Sequence, residues 1–517
     1  MTGKDLIVIL NLFSSRPQHP LGDAKEVKRV IADLPLDNAF KAADEIYGWF
    51  ESLRHVEGFR TDHLFDVVRQ LDDAAQFHIR RLTRDYLNSP RLSRSEERRL
   101  WSMGFNYWGE VSSLYAVCVD RYRRNPKEKG NDALRAQLPL ALARLLAARA
   151  IQIKWVGYRY GVIGEDLWRG LGLPYLAAVE EGVAQKPVQL YPAQQGLSTV
   201  SQLYLQAIVL AASATDSLMP LEIELADRLI AHLLPGFVFS ESCQPDSTYW
   251  IDVASGSAPV RLVGQPEKLG ASLPGLRFFS RGSAPQGLGE LIRQVERGEM
   301  PKELSLGSDY SPKVVLPVLR HLAGNWSPQP PQREHPRHPV KTRISVLQGF
   351  DDCFTLFSGD VARLGKERTA ESWVVEDVSL GGFRARVEVL SAWLKIGALM
   401  CLQPEGGENW VLGVVRRFSQ EAEGHAHVGI KALSRQARSV ELRPRSSGFS
   451  ATGAIPGICL LEGDESGEIR LAMPLGSFDV RESLEFIDGG KRYLLSPIEL
   501  ETSGSNYEIG RYRQSAE

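Results

Sequence analysis

The hydrophobic period of this chain changes once, at Gly236, and that change decides what the chain can fold into. From about residue 24 to 235, apolar residues recur every three to four positions, the spacing of a helix face. Ala39, Ala42, Ala43, Ile46, Trp49, Phe50 and Leu53 share one such face, and Leu64, Val67, Val68, Leu71, Ala74, Ala75, Ile79 and Leu82 form the next. Asn88-Ser89-Pro90 stops that second helix. Ser93 followed by Glu96 then gives a capping-box signature ahead of Leu100, Trp101 and Phe105. Further helices are expected near 131–160, 165–182, 196–213 and 220–234, and Pro235-Gly236 closes the run. No fixed 34-residue repeat is visible, so 1–235 is expected to be a helical bundle or an irregular α-solenoid.

Beyond Gly236 the pattern shortens to strand-like runs. Thr248 to Val253 and Leu276 to Phe279 alternate between Gly and Ser turns, and Gly287 to Arg297 and Pro312 to Ala323 read as helices. This gives a small mixed α/β domain over 236–324. Asn325-Trp326-Ser327-Pro328-Gln329-Pro330-Pro331-Gln332 reads as an extended linker, because proline turns its neighbours away from helix. Six short strands follow within 333–445: Thr342 to Leu347, Ser372 to Glu376, Gly382 to Val387, Ala398 to Leu402, Trp410 to Phe418 and His425 to Ala432. They suit a small closed barrel. A smaller β-rich segment, 446–505, carries a hairpin signal at Asp488-Gly489-Gly490, and 506–517 reads as a frayed tail. The fold class is therefore multidomain α + β, with a helical region, a six-stranded barrel and a further β-rich piece.

Composition narrows the function. The net charge of −2 sets up no global basic field, so DNA or RNA binding is not expected and any nucleotide site must be a local basic pocket. Cys118, Cys243, Cys353, Cys401 and Cys459 are widely spaced, which points to buried reduced thiols and a cytoplasmic setting. Leu6 to Leu10 is too short for a signal peptide and is expected to be a strand or arm. The most apolar stretch, Leu138 to Ile153, is broken by Pro139, Arg144 and Arg149, so no membrane span is expected.

Two short segments carry chemistry. Arg333-Glu334-His335-Pro336-Arg337 places two guanidiniums four residues apart on a proline-stiffened stretch. Asp377-Val378-Ser379-Leu380-Gly381-Gly382 reads Asp-x-Ser-x-x-Gly on a turn that leaves Trp373-Val374-Val375. Arginine forks suit phosphate and guanine edges, and their planes stack on purines. A carboxylate beside a hydroxyl suits a base edge. Each segment alone is also a charged linker or a self-bonded turn; their order and shared β context give the pair its value.

With these segments the region 333–435 resembles the PilZ domain, the bacterial receptor module for cyclic di-GMP. Val411-Leu412-Gly413-Val414-Val415-Arg416 and His427-Val428-Gly429-Ile430-Lys431 are similar to the family's closing strand pair. The resemblance implies that Arg333 and Arg337 wrap over the nucleotide and that Asp377 accepts from a guanine. It also implies that Ser379 bonds the base or a phosphate, and that Gly382 lets the strand approach without a Cβ. Gln332, His338 and Gly381 flank those residues and are additional candidate contacts. Arg343, Arg384, Arg386 and Arg416 are further candidates to extend the pocket, with Arg384 and Arg386 on one strand face. The spacing from Arg337 to Asp377 exceeds that of compact family members, so 351–371 is expected to form a protruding loop or extra hairpin.

No P-loop, His-Glu-x-x-His or Gly-x-Ser-x-Gly motif occurs, nor any signature of cyclic di-GMP synthesis or hydrolysis, so no catalysis is expected. The close pairs His335/His338 and His425/His427 are not expected to hold metal, and no cofactor is expected. The acidic pieces Asp351-Asp352 and Glu462-Gly463-Asp464-Glu465 speak against an RNA-binding barrel. The expected function is a cytoplasmic cyclic di-GMP receptor in which ligand orders the arginine segment and reorients the domains. The helical region would engage a protein partner in motility, pili or biofilm control. The alternative is a helical interaction scaffold with a non-binding barrel.

Overall fold

The computed structural model describes residues 17–88, 92–194, 196–262, 275–304, 306–307, 310–329, 335–359, 370–391, 393–421, 425–445, 453–461, 467–504 and 506–516. Residues 6–10, the acidic piece 462–465, Gln332 and Arg333 lie outside these. Among the described residues nine α-helices come first: α1 (Ala24–Ala32), α2 (Ala39–Arg54), α3 (Thr61–Asn88), α4 (Arg94–Arg124), α5 (Asn131–Leu134), α6 (Leu138–Tyr158), α7 (Glu165–Glu180), α8 (Val200–Ala211) and α9 (Pro220–Leu233). The capping box at α4 is realised: Glu96 N donates to Ser93 Oγ at 3.3 Å, and Ser93 N to Glu96 Oε2 at 3.1 Å. Helix α6 is buried on most of its circumference, including the whole side chain of Arg144. No helix among the described residues is long and apolar enough to cross a membrane.

Strands β1 (Val238–Ser240), β2 (Tyr249–Asp252), β3 (Val260–Arg261) and β4 (Leu276–Ser280) form an antiparallel sheet ordered β1-β4-β2-β3, followed by α10 (Ala284–Glu296) and α11 (Pro312–Asn325). The stretch expected to be an extended linker from Asn325 instead begins with the end of α11 and a buried Trp326. Its indole meets Phe237 edge-on and donates to Ser213 Oγ at 3.2 Å. A large aromatic with a hydrogen-bond partner outweighs the local proline signal.

A first closed barrel comprises β5 (His338–Gln348), β6 (Glu371–Ser379), β7 (Gly382–Val387), β8 (Leu399–Pro404), β9 (Val411–Gln420) and β10 (Ala426–Ser434), ordered β10-β7-β6-β5-β8-β9. Its interior holds Ile344, Val346, Trp373, Val375, Ala385, Val387, Met400, Val415 and Val428. The expected loop or hairpin after Gln348 is, in its described part, helix α12 (Gly349–Phe357). Phe350, Cys353, Phe354 and Phe357 recur at helical spacing and pack into an apolar cluster, so burial selects a helix. Asp351 and Asp352 occupy its first turn rather than a loop.

The C-terminal β-rich piece is a second closed barrel. It is built from β11 (Ala437–Pro444), β12 (Ile455–Leu460), β13 (Glu468–Pro474), β14 (Leu484–Asp488), β15 (Lys491–Ser503) and β16 (Tyr507–Ala516). Residues expected to fray after Ser503 are thus strand β16, which pairs with β13 and β15 and closes the barrel. Tyr507, Ile509 and Tyr512 are fully buried, and that burial holds the strand. The Asp488-Gly489-Gly490 signal is a two-residue hairpin: Asp488 pairs with Lys491, and both glycines take positive φ, 55° and 79°.

The chain divides into two compact units. The first runs to Pro331, and the second takes in 332–517 with the short pieces Tyr160–Val162 and Asp216–Met219. The division falls directly ahead of the arginine motif. Among the cysteines, Cys118, Cys353, Cys401 and Cys459 are buried as expected, whereas Cys243 is exposed.

Candidate functional site

The exterior of the first barrel has two unlike halves. Outward residues of β8 and β9, among them Leu399, Cys401, Leu412 and Val414, are covered by Phe350 and Cys353 of α12 and by Ile458, Leu460 and Tyr507 of the second barrel. The half formed by β6, β7 and β10 is polar, and among the described residues its Arg384, Arg386 and Lys431 are exposed. Its residues line up in rows. Asp377 pairs across to Arg384, which pairs to Gly429, which pairs to Arg417; Ser379 pairs to Gly382, which pairs to Lys431.

Two irregularities set this face. The β6–β7 register shifts between Val375 and Asp377, so Val375 stays buried while Glu376 and Asp377 both turn outward. On β9 the register with β10 jumps from Arg417 to Val415, leaving Arg416 and Arg417 both exposed. Strict alternation would have placed one residue of each pair inside.

The structure brings the motif residues together where it describes them. Arg337 Nη1 donates to Asp377 Oδ1 at 2.6 Å, with side chains 30% and 20% exposed. Asp377 Oδ2 makes no hydrogen bond among the described residues. His335 lies over the turn, its Cδ2 3.5 Å from the position a Cβ on Gly381 would take. Ser379 Oγ donates to Gly382 O at 3.3 Å, bracing the hairpin that Leu380 and Gly381 turn. Neither Gly381 nor Gly382 adopts positive φ. Gly382 is required for a different reason: a Cβ there would come within 2.0 Å of Ile430 O on β10. His338 begins β5 opposite Val378 and is exposed.

The additional arginines separate. Arg384 and Arg386 both point outward, Arg384 toward Glu376 at 3.4 Å and Arg386 toward Glu388 at 4.0 Å. Arg343, exposed on β5, donates to Ser372 Oγ at 3.3 Å. Arg416 belongs to the side of the second barrel. Burial pushes the Tyr507 hydroxyl up to about 12, and the Arg416 charge opposes that rise. His427 is bracketed by carboxylates, Nε2 to Glu421 Oε1 at 2.6 Å and Nδ1 to Glu376 Oε2 at 3.1 Å. No cluster among the described residues has the makings of a metal site. Sequence reasoning missed Glu376 and Arg417, because only the register shifts turn them outward.

The helical unit holds its own ionic clusters. Asp72 is fully buried and accepts from Tyr107, Tyr115, Gln76 and Arg144, while Arg144 Nη2 reaches Asp73 at 2.6 Å and Nε donates to Leu190 O at 2.9 Å. Burial pushes the Asp72 carboxyl above its ordinary range, against the pull of Arg144 and the hydroxyls. Lys154 lies between Glu224 at 2.7 Å and Asp227 at 2.6 Å. Each charge here is paired and bonded, as burial demands.

Residues 25–245, the helices and the first strand, match a family model described as the N-terminal domain of the cyclic-di-GMP receptor FimW. A search of curated proteins found no match.

Proposed function

We propose that the chain is a cyclic di-GMP receptor whose open barrel face holds the nucleotide. The observation that carries this reading is the Arg337–Asp377 pair at 2.6 Å beside Ser379, on a face with outward arginines and spare acceptor capacity. Two separate stretches support the same ligand: the motif residues lie in 333–435, and the FimW-type match covers 25–245.

Asp377 Oδ2 would accept from a guanine N–H edge, and the Ser379 hydroxyl would turn from Gly382 O to the base or a phosphate. Arg337 retains Nε and Nη2 for phosphate or for stacking on the purine. Arg333 is proposed to close from the same segment. The compact units divide between 331 and 332, so fixing the arginine segment against the barrel would alter how the two are coupled. The helical region would carry that change to a protein partner in motility, pili or biofilm control. In this reading the protein is not an enzyme and acts in the cytoplasm.

A charge-assisted hydrogen bond contributes about 1.5–3 kcal/mol, and arginine stacking adds ~0.5–2 kcal/mol. Calorimetric titration of the full chain with cyclic di-GMP should therefore show Arg337→Ala binding roughly tenfold to several hundredfold more weakly. Equal affinity in the variant removes Arg337 from the site. The second reading, a scaffold with a non-binding barrel, draws on Arg337 satisfying Asp377 and Ser379 bracing its own turn. Failure of the wild-type chain to take up nucleotide at all would favour it.

A further inference from the structure

We infer that Arg417 and Lys431, on the β9–β10 side of the open face, form a second anion-holding edge of the site. There they would take a phosphate of the nucleotide across the bare backbone of Gly429. The inference rests on the cyclic di-GMP reading and adds residues to it.

Compensation distinguishes these two cations from their neighbours. Arg337 has Asp377, Arg384 has Glu376 and Arg386 has Glu388. Arg417 and Lys431 are exposed and make no ion pair among the described residues. Their positive charge is therefore open to an added anion, whereas the others would first have to share a carboxylate.

Placement supplies the second argument. Arg417 is outward only because β9 shifts register at Arg416. Bulges of this kind re-aim single side chains and gather beside binding sites. The shift seats Arg417 in the same cross-strand row as Asp377 and Arg384, with Gly429 between the two arginines. A Cβ on Gly429 would lie 3.1 Å from Arg417 Cβ, so the glycine leaves a bare strip of backbone between flanking guanidiniums. A flat ring can rest there. The row spans three strand spacings from Asp377 to Arg417, roughly 14 Å at ~4.8 Å each. That width allows one end of a dinucleotide to meet the Asp377 corner while a phosphate meets Arg417. Lys431 stands one row along, opposite Gly382.

The test titrates the full chain with cyclic di-GMP at low and moderate salt, using wild type, Arg417→Ala, Arg417→Lys and Arg443→Ala. Arg443 is an exposed cation on the second barrel and controls for loss of any positive charge. The expected result is binding at least tenfold weaker in Arg417→Ala with a shallower salt dependence, partial recovery in Arg417→Lys, and Arg443→Ala close to wild type. Should wild type bind and Arg337→Ala lose affinity while Arg417→Ala binds within twofold of wild type, this inference falls and the receptor reading stands. Equal losses in Arg417→Ala and Arg443→Ala would also overturn it, since general charge would then explain both. A wild-type chain that binds no nucleotide ends both readings together.

Discussion

Arg144 in the helical unit and Arg337 on the first barrel each hold an aspartate oxygen at 2.6 Å, yet the two pairs have opposite surroundings. Arg144 is 2% exposed and its donors also reach Leu190 O, Asp72 and the Tyr115 hydroxyl, while its plane covers Tyr191 at 4.6 Å. Nothing is left over for a ligand. Arg337 and Asp377 are part-exposed and share one hydrogen bond, and the other Asp377 oxygen has no partner among the described residues. The comparison teaches that the distance between charges does not define a site. Unspent hydrogen-bonding capacity on an accessible face does.

The largest expected effect is on the buried side of this comparison. Asp72→Ala leaves Arg144 without its deepest partner, and unpairing a buried charge costs about 3–5 kcal/mol; urea unfolding should show that loss, with nucleotide affinity of the folded protein unchanged. A fall in affinity instead would tie the helical network to the site. Arg337→Ala should do the reverse: the affinity loss given above, with stability altered by no more than ~1 kcal/mol, since partly exposed ion pairs contribute little to folding. The Lys154 cluster sharpens the contrast through pH. Burial pushes the Glu224 carboxyl up, but Lys154 and Arg228 outweigh it and hold the group below its ordinary 4.5. A carboxylate depressed in the folded state contributes stability above its unfolded value, lost as pH falls through the folded one. Stability should therefore decline as pH drops below 4.5, and Glu224→Gln should flatten that limb of a stability–pH curve. The smallest effect is expected from Arg384→Ala, whose exposed pairing with Glu376 should move the unfolding free energy by ~0.5 kcal/mol or less.

Much of the scaffold was legible because local rules and burial agreed. The apolar faces of α2 and α3, the Ser93/Glu96 capping box, the Gly489-Gly490 hairpin and all six strands of the first barrel follow from spacing alone. The rest depended on partners far along the chain. Strand β16 looks polar and terminal until Tyr507 and Ile509 meet the cluster that also holds Phe350 and Leu412. The pairing of Asp72 with Arg144 is not visible in local spacing because their partners lie on other helices and on the segment around Tyr191. Around the candidate site, the motif spacing anticipates that Arg337, Asp377 and Ser379 lie close together, but that Arg417 turns outward beside Arg416 rests on one register shift that period-two counting cannot see.

Hydrogen exchange on the full chain with and without saturating cyclic di-GMP tests the central claim most directly. The account predicts new amide protection over β6, β7 and β10, from Glu376 to Arg386 and from His427 to Lys431, and around Arg337. The Asp72 cluster, already bonded, should stay unchanged. Protection confined to the helices or to the second barrel, or no protection anywhere, would contradict it.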